Sequence, residues 1–168
     1  EVIIALPLSI LLELPIPSHK MPTSEDCCDL YTEEEEITGE NAWFDENQNK
    51  KIDIKKRILF WSFPKVLVIT LKRFTSADKK NQKKVHFPID DLDLSKYVVG
   101  YNKDMYKYKL FGICNHHGRV PFGGHYTSLV KLDKYPYWFE YNDENFITHK
   151  NDDKIVTQKA YCLFYKRI

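Results

Sequence analysis

Strand-length runs of β-branched, aromatic and leucine residues recur between residues 52 and 166, and several of the gaps between them are too short to hold a crossover helix. Val66-Leu67-Val68-Ile69-Thr70-Leu71 is continuous and reads as a strand buried on both faces, whereas Ile52, Ile54, Arg57, Leu59 and Trp61 begin as an alternation. Further strands are expected at 106–115, 125–132, 137–142 and 160–166, with an earlier one at 10–16 closed by Pro15 and Pro17. One helix signal competes with them. Thr23 or Ser24 offers an N-cap ahead of Asp26, Cys27, Leu30 and Tyr31, which predicts a short helix over 24–32. So many strands with so little helix predict an α+β fold whose sheet is mainly antiparallel. The remainder reads as connection. The like-charged run 33–36 is expected as a solvated helix end or loop, and 39–51 as polar and turn-like. Lysine-rich 75–84 is expected as a long surface loop, with Lys79, Lys80, Lys83 and Lys84 on a solvated face.

Composition bears on partners and compartment. At 168 residues and 43% hydrophobic content the chain supports one compact core. A formal net charge of +1, with no basic stripe, gives no reason to expect nucleic acid or a membrane surface as a partner. The apolar run 2–12 is interrupted by Pro7 and Ser9, has no basic segment ahead of it and is too short to span a bilayer. It is expected to be an interior strand, and a chain opening on Glu1 in this way is expected to be part of a longer domain. Cys27 and Cys28 are adjacent, while Cys114 and Cys162 sit in apolar runs, so no disulfide framework is legible. Reduced thiols and an intracellular location, cytoplasmic or nuclear, are the expectation.

The chemistry concentrates at Gly123-Gly124-His125-Tyr126. Three glycines fall between 118 and 124, so the backbone there is free to take positive φ and to let another chain approach closely. Asn142-Asp143 follows at the end of the next strand run. A histidine with an amide or carboxylate acceptor on a neighbouring strand is the base-plus-orienter half of a nucleophilic triad. Adjacent strand residues face opposite sides, so alternation leaves both Asn142 and Asp143 open as the orienter. The plainer readings are a hairpin turn at Gly123-Gly124, an ordinary turn at Asn142-Asp143 and a structural histidine. His116 and His117 read as loop or substrate-proximal residues.

Taken together, these residues resemble the C-terminal part of the catalytic domain of a ubiquitin-specific protease. The resemblance runs through Ser24-Glu25-Asp26-Cys27-Cys28-Asp29-Leu30-Tyr31 and Glu35-Glu36-Ile37-Thr38-Gly39 to the run from Phe63 to Phe74. It continues through Phe87-Pro88-Ile89, Leu92-Asp93-Leu94, the histidine box from Asn115 to Tyr126, and Ala160-Tyr161-Cys162-Leu163-Phe164-Tyr165. It implies a papain-like cysteine protease fold, a mainly antiparallel palm sheet with part of the fingers, spanning 1–168 as one partial domain. It implies a thiol hydrolase that removes ubiquitin from protein conjugates by cutting after the C-terminal diglycine. His125 would serve as base and acid, Asn142 as its orienter and Asp143 as a helper. The loop from His117 through Gly123 and Gly124 would close over the diglycine, and Tyr126 would line the tail's path.

Two departures qualify the resemblance. Asp45-Glu46-Asn47-Gln48 stands where a second Cys-x-x-Cys pair would complete a zinc site, so no metal or other cofactor is expected. No Gly-Asn-Thr-Cys box is present, so the nucleophile is expected from an N-terminal half of the same domain, and the chain alone is expected to be inactive. The alternative is a family member that binds ubiquitin without cutting it.

Overall fold

A run such as Val66-Leu67-Val68-Ile69 has no polar face to offer water, and it accordingly lies inside a sheet. The structure, a computed structural model, describes residues 2–6, 10–76 and 79–168. Strands β1 (Val2–Leu6) and β2 (Leu11–Leu14) precede the helix α1 (Ser24–Tyr31). Next come β3 (Glu35–Ile37), β4 (Trp43–Asp45), β5 (Lys50–Ile52), β6 (Ile54–Phe60) and β7 (Val66–Leu71). Short strands β8 (Phe74–Ser76), β9 (Lys79–Lys80) and β10 (Leu92–Asp93) lead to β11 (Lys107–Val120) and β12 (Gly123–Lys131). The chain closes with β13 (Trp138–Asn142), β14 (Asn145–His149) and β15 (Ala160–Arg167).

The main sheet runs β14-β13-β12-β11-β15-β7-β2, with β10 on β11. Its pairings are antiparallel except β2 on β7. A smaller sheet orders β1-β6-β3, with β1 parallel to β6. The expectation of a mainly antiparallel sheet therefore holds, with the two parallel pairs contributed by the strands ahead of α1.

Alternation sorts the main sheet into a core face and an open face. Leu67, Ile69 and Leu71 on β7, Leu163 and Tyr165 on β15, Leu110 and Ile113 on β11, Leu129 and Trp138 are all buried. A bulge between Leu110 and Gly112 shifts the alternation on β11 so that both its halves present large side chains to this face. Cys27, Cys28, Val85, Phe87, Leu92 and Leu94 join the same cluster. Each fully buried leucine or isoleucine contributes about 1.5–3 kcal/mol. Val66, Val68 and Thr70 point the other way and stay partly exposed, which corrects the expectation that β7 is buried on both faces. Continuity of apolar residues marks a strand's interior position in the sheet and does not tell one covered face from two.

Helix α1 begins where its cap dictates. Thr23 Oγ1 accepts from the Asp26 backbone N–H at 3.0 Å, and Asp26 Oδ2 accepts from the Thr23 backbone N–H at 2.8 Å. Hydrogen bonding by Thr23 to the carboxyl, its backbone N–H first, holds Asp26 below its ordinary value.

Three other expectations change. The polar stretch 39–51 holds a 3-10 turn at Gly39–Asn41 and the β4–β5 hairpin. In that hairpin the Asp45 carboxylate accepts from the backbone N–H groups of Asn47 and Gln48. The acidic run 33–36 places Glu35 and Glu36 on β3 against β6, where Lys55 reaches Glu34 at 2.8 Å and Glu36 at 3.5 Å. Within 75–84, β8 pairs with β9, and Lys80 is buried with its ammonium donating to the His116 carbonyl. Arg73, also buried, donates from Nε to the Ala160 carbonyl at 2.6 Å and from Nη1 to those of Asn81 and Lys83 at 3.1 and 2.8 Å. A lysine stem covers apolar surface as its head finds a carbonyl, a partner that lies on another strand and leaves no mark on the local sequence.

Candidate active site

Strands β11 and β12 form one long hairpin whose end brings the histidines together. Its register sets His117 across from His125 and His116 across from Tyr126. A bulge follows between His117 and Val120, so the stretch expected as a loop from His117 to Gly124 is a strand end and a tight turn. Positive φ occurs at Gly118 (143°) and Gly124 (145°), and Gly123 lies outside that region. A Cβ on Gly124 would stand 2.2 Å from the His117 carbonyl oxygen and 2.7 Å from His116 Nε2. Glycine is required there by space as well as by conformation.

Alternation puts neighbouring histidines to different uses. His116 is buried on the open face, with its ring 4.9 Å from Tyr126 and 5.3 Å from Phe74. Burial, then the Lys80 charge, lower its pKa, and its Nδ1 has no hydrogen-bond partner among the described residues. His117 lies on the core face, where its Nε2 meets Thr127 Oγ1 at 2.9 Å. Burial, then the Lys159 and His125 charges, lower its pKa as well. His125 is on the same face, its ring 6.0 Å from that of His117. Tyr126 is half-exposed on the opposite side of the strand.

The orienter is decided by where each candidate sits. Asn142 closes β13, which pairs with β12, and its Oδ1 lies 2.6 Å from His125 Nε2. Asp143 falls in the turn to β14 with φ 51°, and its carboxylate stays 3.8 Å from the same nitrogen. An amide oxygen only accepts, so His125 Nε2 carries the hydrogen and Nδ1 keeps the lone pair. Behind Asn142, Trp138 is fully buried and its indole N–H donates to Asp152 at 3.0 Å, while His149 meets Glu140 at 2.6 Å across β13 and β14. The β13–β14 hairpin is thereby held as the ledge on which the amide stands.

Sequence reasoning singled out His117, Gly123, Gly124, His125, Tyr126, Asn142 and Asp143. The structure gathers His117, His125, Asn142 and Asp143 at one edge of the core face and sends Tyr126 to the other. It adds Thr127 and Lys80, which were missed. Thr127 was findable as the residue two positions along a strand from His125 and hence on its face, whereas Lys80 was not, its carbonyl partner being distant in sequence.

Between the hairpin tip and 79–82 opens a cleft of about 720 Å³, lined among others by Lys79, Lys80, His116, His117, Arg119 and Lys159. Burial first, and then the cationic walls, disfavour the charged form of both flanking imidazoles. The cysteines lie elsewhere. Cys27 and Cys28 are buried on α1, where burial pushes both thiols up to about 12. Cys114 and Cys162 face each other across β11 and β15, with Cys114 opposite Ser128 and so on the face away from His125.

The family model described as ubiquitin carboxyl-terminal hydrolase matches residues 18–165. The ubiquitin carboxyl-terminal hydrolases 15 of Rattus norvegicus and Homo sapiens are each 34% identical over 159 residues, covering 93% of this chain and 16% of the relative. Ubiquitin carboxyl-terminal hydrolase 5 of Arabidopsis thaliana is 37% identical over 145 residues, 84% of this chain and 16% of the relative. Among solved structures, a chain of the yeast SAGA DUB module superposes with a TM-score of 0.75 at 26% identity, over 94% of this chain and 35% of that one. A chain of the SAGA DUB module bound to monoubiquitin gives 0.74 at 26% identity, over the same 94% and 35%. The present chain thus spans 16% of the length of these curated relatives. Its fold is the α+β, papain-like one, mainly antiparallel sheet with few helices. By the family match and by these identities, the chain belongs to the ubiquitin carboxyl-terminal hydrolase family.

Proposed function

We propose that this chain supplies the histidine and its orienting amide to a cysteine-type hydrolase that removes ubiquitin from protein conjugates. The observation that carries the reading is the 2.6 Å bond from His125 Nε2 to Asn142 Oδ1, which leaves Nδ1 with its lone pair to meet a thiol. A thiol is mostly protonated at neutral pH and is activated by an adjacent base. In this reading Nδ1 of His125 takes the thiol proton, and the thiolate attacks the carbonyl of ubiquitin's C-terminal glycine. The imidazolium then returns that proton to the departing lysine amine. Asn142 fixes ring and tautomer through both steps, and the Asp143 carboxylate stands 3.8 Å from His125 Nε2.

The nucleophile comes from outside these residues in this proposal. Two of the four cysteines are buried with thiols pushed up to about 12, and the other two lie on the face that His125 does not share. The ubiquitin tail passes beside the hairpin tip. His117, Gly123, Gly124 and Tyr126 bound its path, and the tail's glycines suit a backbone approach that side chains would block. Support for ubiquitin as the partner comes from family membership and from the solved relative bound to monoubiquitin. The unpaired thiols of all four cysteines fit an intracellular setting, cytoplasmic or nuclear.

The test is labelling of the longer protein that carries this chain together with the cysteine-bearing part, using ubiquitin with a thiol-reactive C-terminus. His125→Ala is expected to slow labelling by about 10³-fold or more, as removal of a triad member does. Asn142→Ala is expected to slow it less, and Asn142→Asp, which keeps an acceptor, to recover part of the rate. Equal labelling of the unchanged protein and His125→Ala would remove the imidazole from the chemistry.

A further inference from the structure

We propose that Cys114 and Cys162 form a dithiol modification site on the open face of the main sheet, closing to a cross-strand disulfide when the chain meets a small disulfide of the oxidised-glutathione class. The warrant is register. Cys114 on β11 and Cys162 on β15 are direct Cα partners in an antiparallel pair. Directly opposed residues in such a pair stand about 4.5–5.5 Å apart at Cα, and a disulfide spans about 4.4–6.8 Å. Their side chains leave the sheet on the same side, and the usual spacing of such a pair lies within disulfide reach. Both thiols are free and half-buried, on a face whose neighbours Val66, Val68 and Thr70 are also partly exposed.

A third strand contributes a hydroxyl. Thr70 is the β7 partner of Cys162, and its Oγ1 lies 3.6 Å from Cys162 Sγ, in position to donate to a thiolate there. Cys27 and Cys28 provide the contrast, being adjacent on α1 and buried. Adjacent residues on a helix do not face each other, and burial shields both from a reagent in water.

The reaction balances with the small disulfide as the only oxidant. One protein thiolate attacks it, forming a mixed S–S bond, breaking the small disulfide and expelling a small thiolate that takes up a proton. The second protein thiolate attacks the protein sulfur of that mixed disulfide, forming the Cys114–Cys162 bond and expelling the second small thiol. Two protein thiols are oxidised and one small disulfide is reduced to two thiols. Burial raises both thiols, so the first step is slower than for a free cysteine at the same pH. Closure would join β15 to β11 one pair before the irregularity at which Asn115 meets Ala160, the residue whose carbonyl Arg73 holds. The bond therefore tightens the base of the hairpin that carries His117 and His125. This site stands on β-register alone and is independent of the role proposed for His125.

The experiment incubates the folded chain with oxidised glutathione, blocks remaining thiols by alkylation and maps the peptides by mass. The expected product joins the peptides of Cys114 and Cys162, with no retained glutathione and with Cys27 and Cys28 alkylated only after unfolding. In Cys162→Ser, glutathione is expected to remain on Cys114 because the second step has no nucleophile. Stable separate adducts on Cys114 and Cys162 in the unchanged chain would overturn the proposal. So would a bond to Cys27 or Cys28, or no oxidation under conditions that fully convert an exposed cysteine peptide.

Discussion

Replacing Gly124 with alanine tests whether the hairpin tip is built as described, because its surroundings allow no side chain. The residue holds φ at 145°, a region that costs an L-residue about 1–3 kcal/mol. Its new Cβ would also lie 2.2 Å from the His117 carbonyl oxygen. That oxygen belongs to the backbone and cannot rotate aside, so the strands must separate by about an ångström at the His117–His125 pair. Parting them forfeits one or two backbone hydrogen bonds at about 0.5–1.5 kcal/mol each. The sum is about 1.5–6 kcal/mol. Two other glycines serve as internal standards. Gly39 has φ 61° and nothing within 4 Å of its Cβ position, so alanine there meets backbone strain alone, about 1–2 kcal/mol. Gly123 has no positive φ and a Cβ position 3.5 Å from Val120 Cγ2, an ordinary contact, so alanine there stays within about 0.5 kcal/mol. Urea unfolding of the four proteins under one buffer should give the order unchanged chain, Gly123→Ala, Gly39→Ala, Gly124→Ala. Amide exchange should show the Gly124→Ala loss concentrated between His116 and Thr127 when the tip opens locally. If Gly124→Ala unfolds at the same urea concentration as Gly123→Ala, the tip does not have the described backbone.

Two further expectations concern stability. His116 and His117 are held below the ordinary histidine value by burial and by neighbouring cations, so the unfolded chain binds more protons than the folded one as pH falls past about 6.5. Stability should be complete above that pH and decline below it, with a urea midpoint lower at about pH 5.5 than at about pH 7.5 and a smaller drop in His116→Gln; a flat profile would contradict the assignment. Thr23→Ala removes the side-chain half of the α1 cap and should cost about 1 kcal/mol by urea unfolding, with no measurable loss arguing against the capping box.

Which parts were legible from residues follows from where the determining partner lies. The strands β7, β11, β12, β13 and β15 were visible because a period of two or a continuous apolar run is written locally. So was α1, through Thr23 and Asp26. The expectation that Asn142 and Asp143 compete was also as far as local pattern reaches, since the bond to His125 depends on Asn142 ending a strand while Asp143 enters a turn. Lys80 went unseen because charge predicts exposure unless a carbonyl on a distant strand is known. Strand β14 was missed because Asn145 to Thr148 is exposed throughout, so no buried side gives the pattern away. The fold and the histidine were written in short-range spacing, and the roles of their neighbours in contacts between distant strands.

Arg73 and Lys80 together act as struts of set length. One guanidinium holds the carbonyls of Asn81 and Lys83 to that of Ala160, and one ammonium holds the same segment to His116. The aperture of the basic cleft is therefore gauged by two side chains and not by the stiffness of the exposed stretch that forms its rim. Sequence drift among the rim's outward residues leaves that gauge untouched, whereas shortening either strut would let the gap breathe.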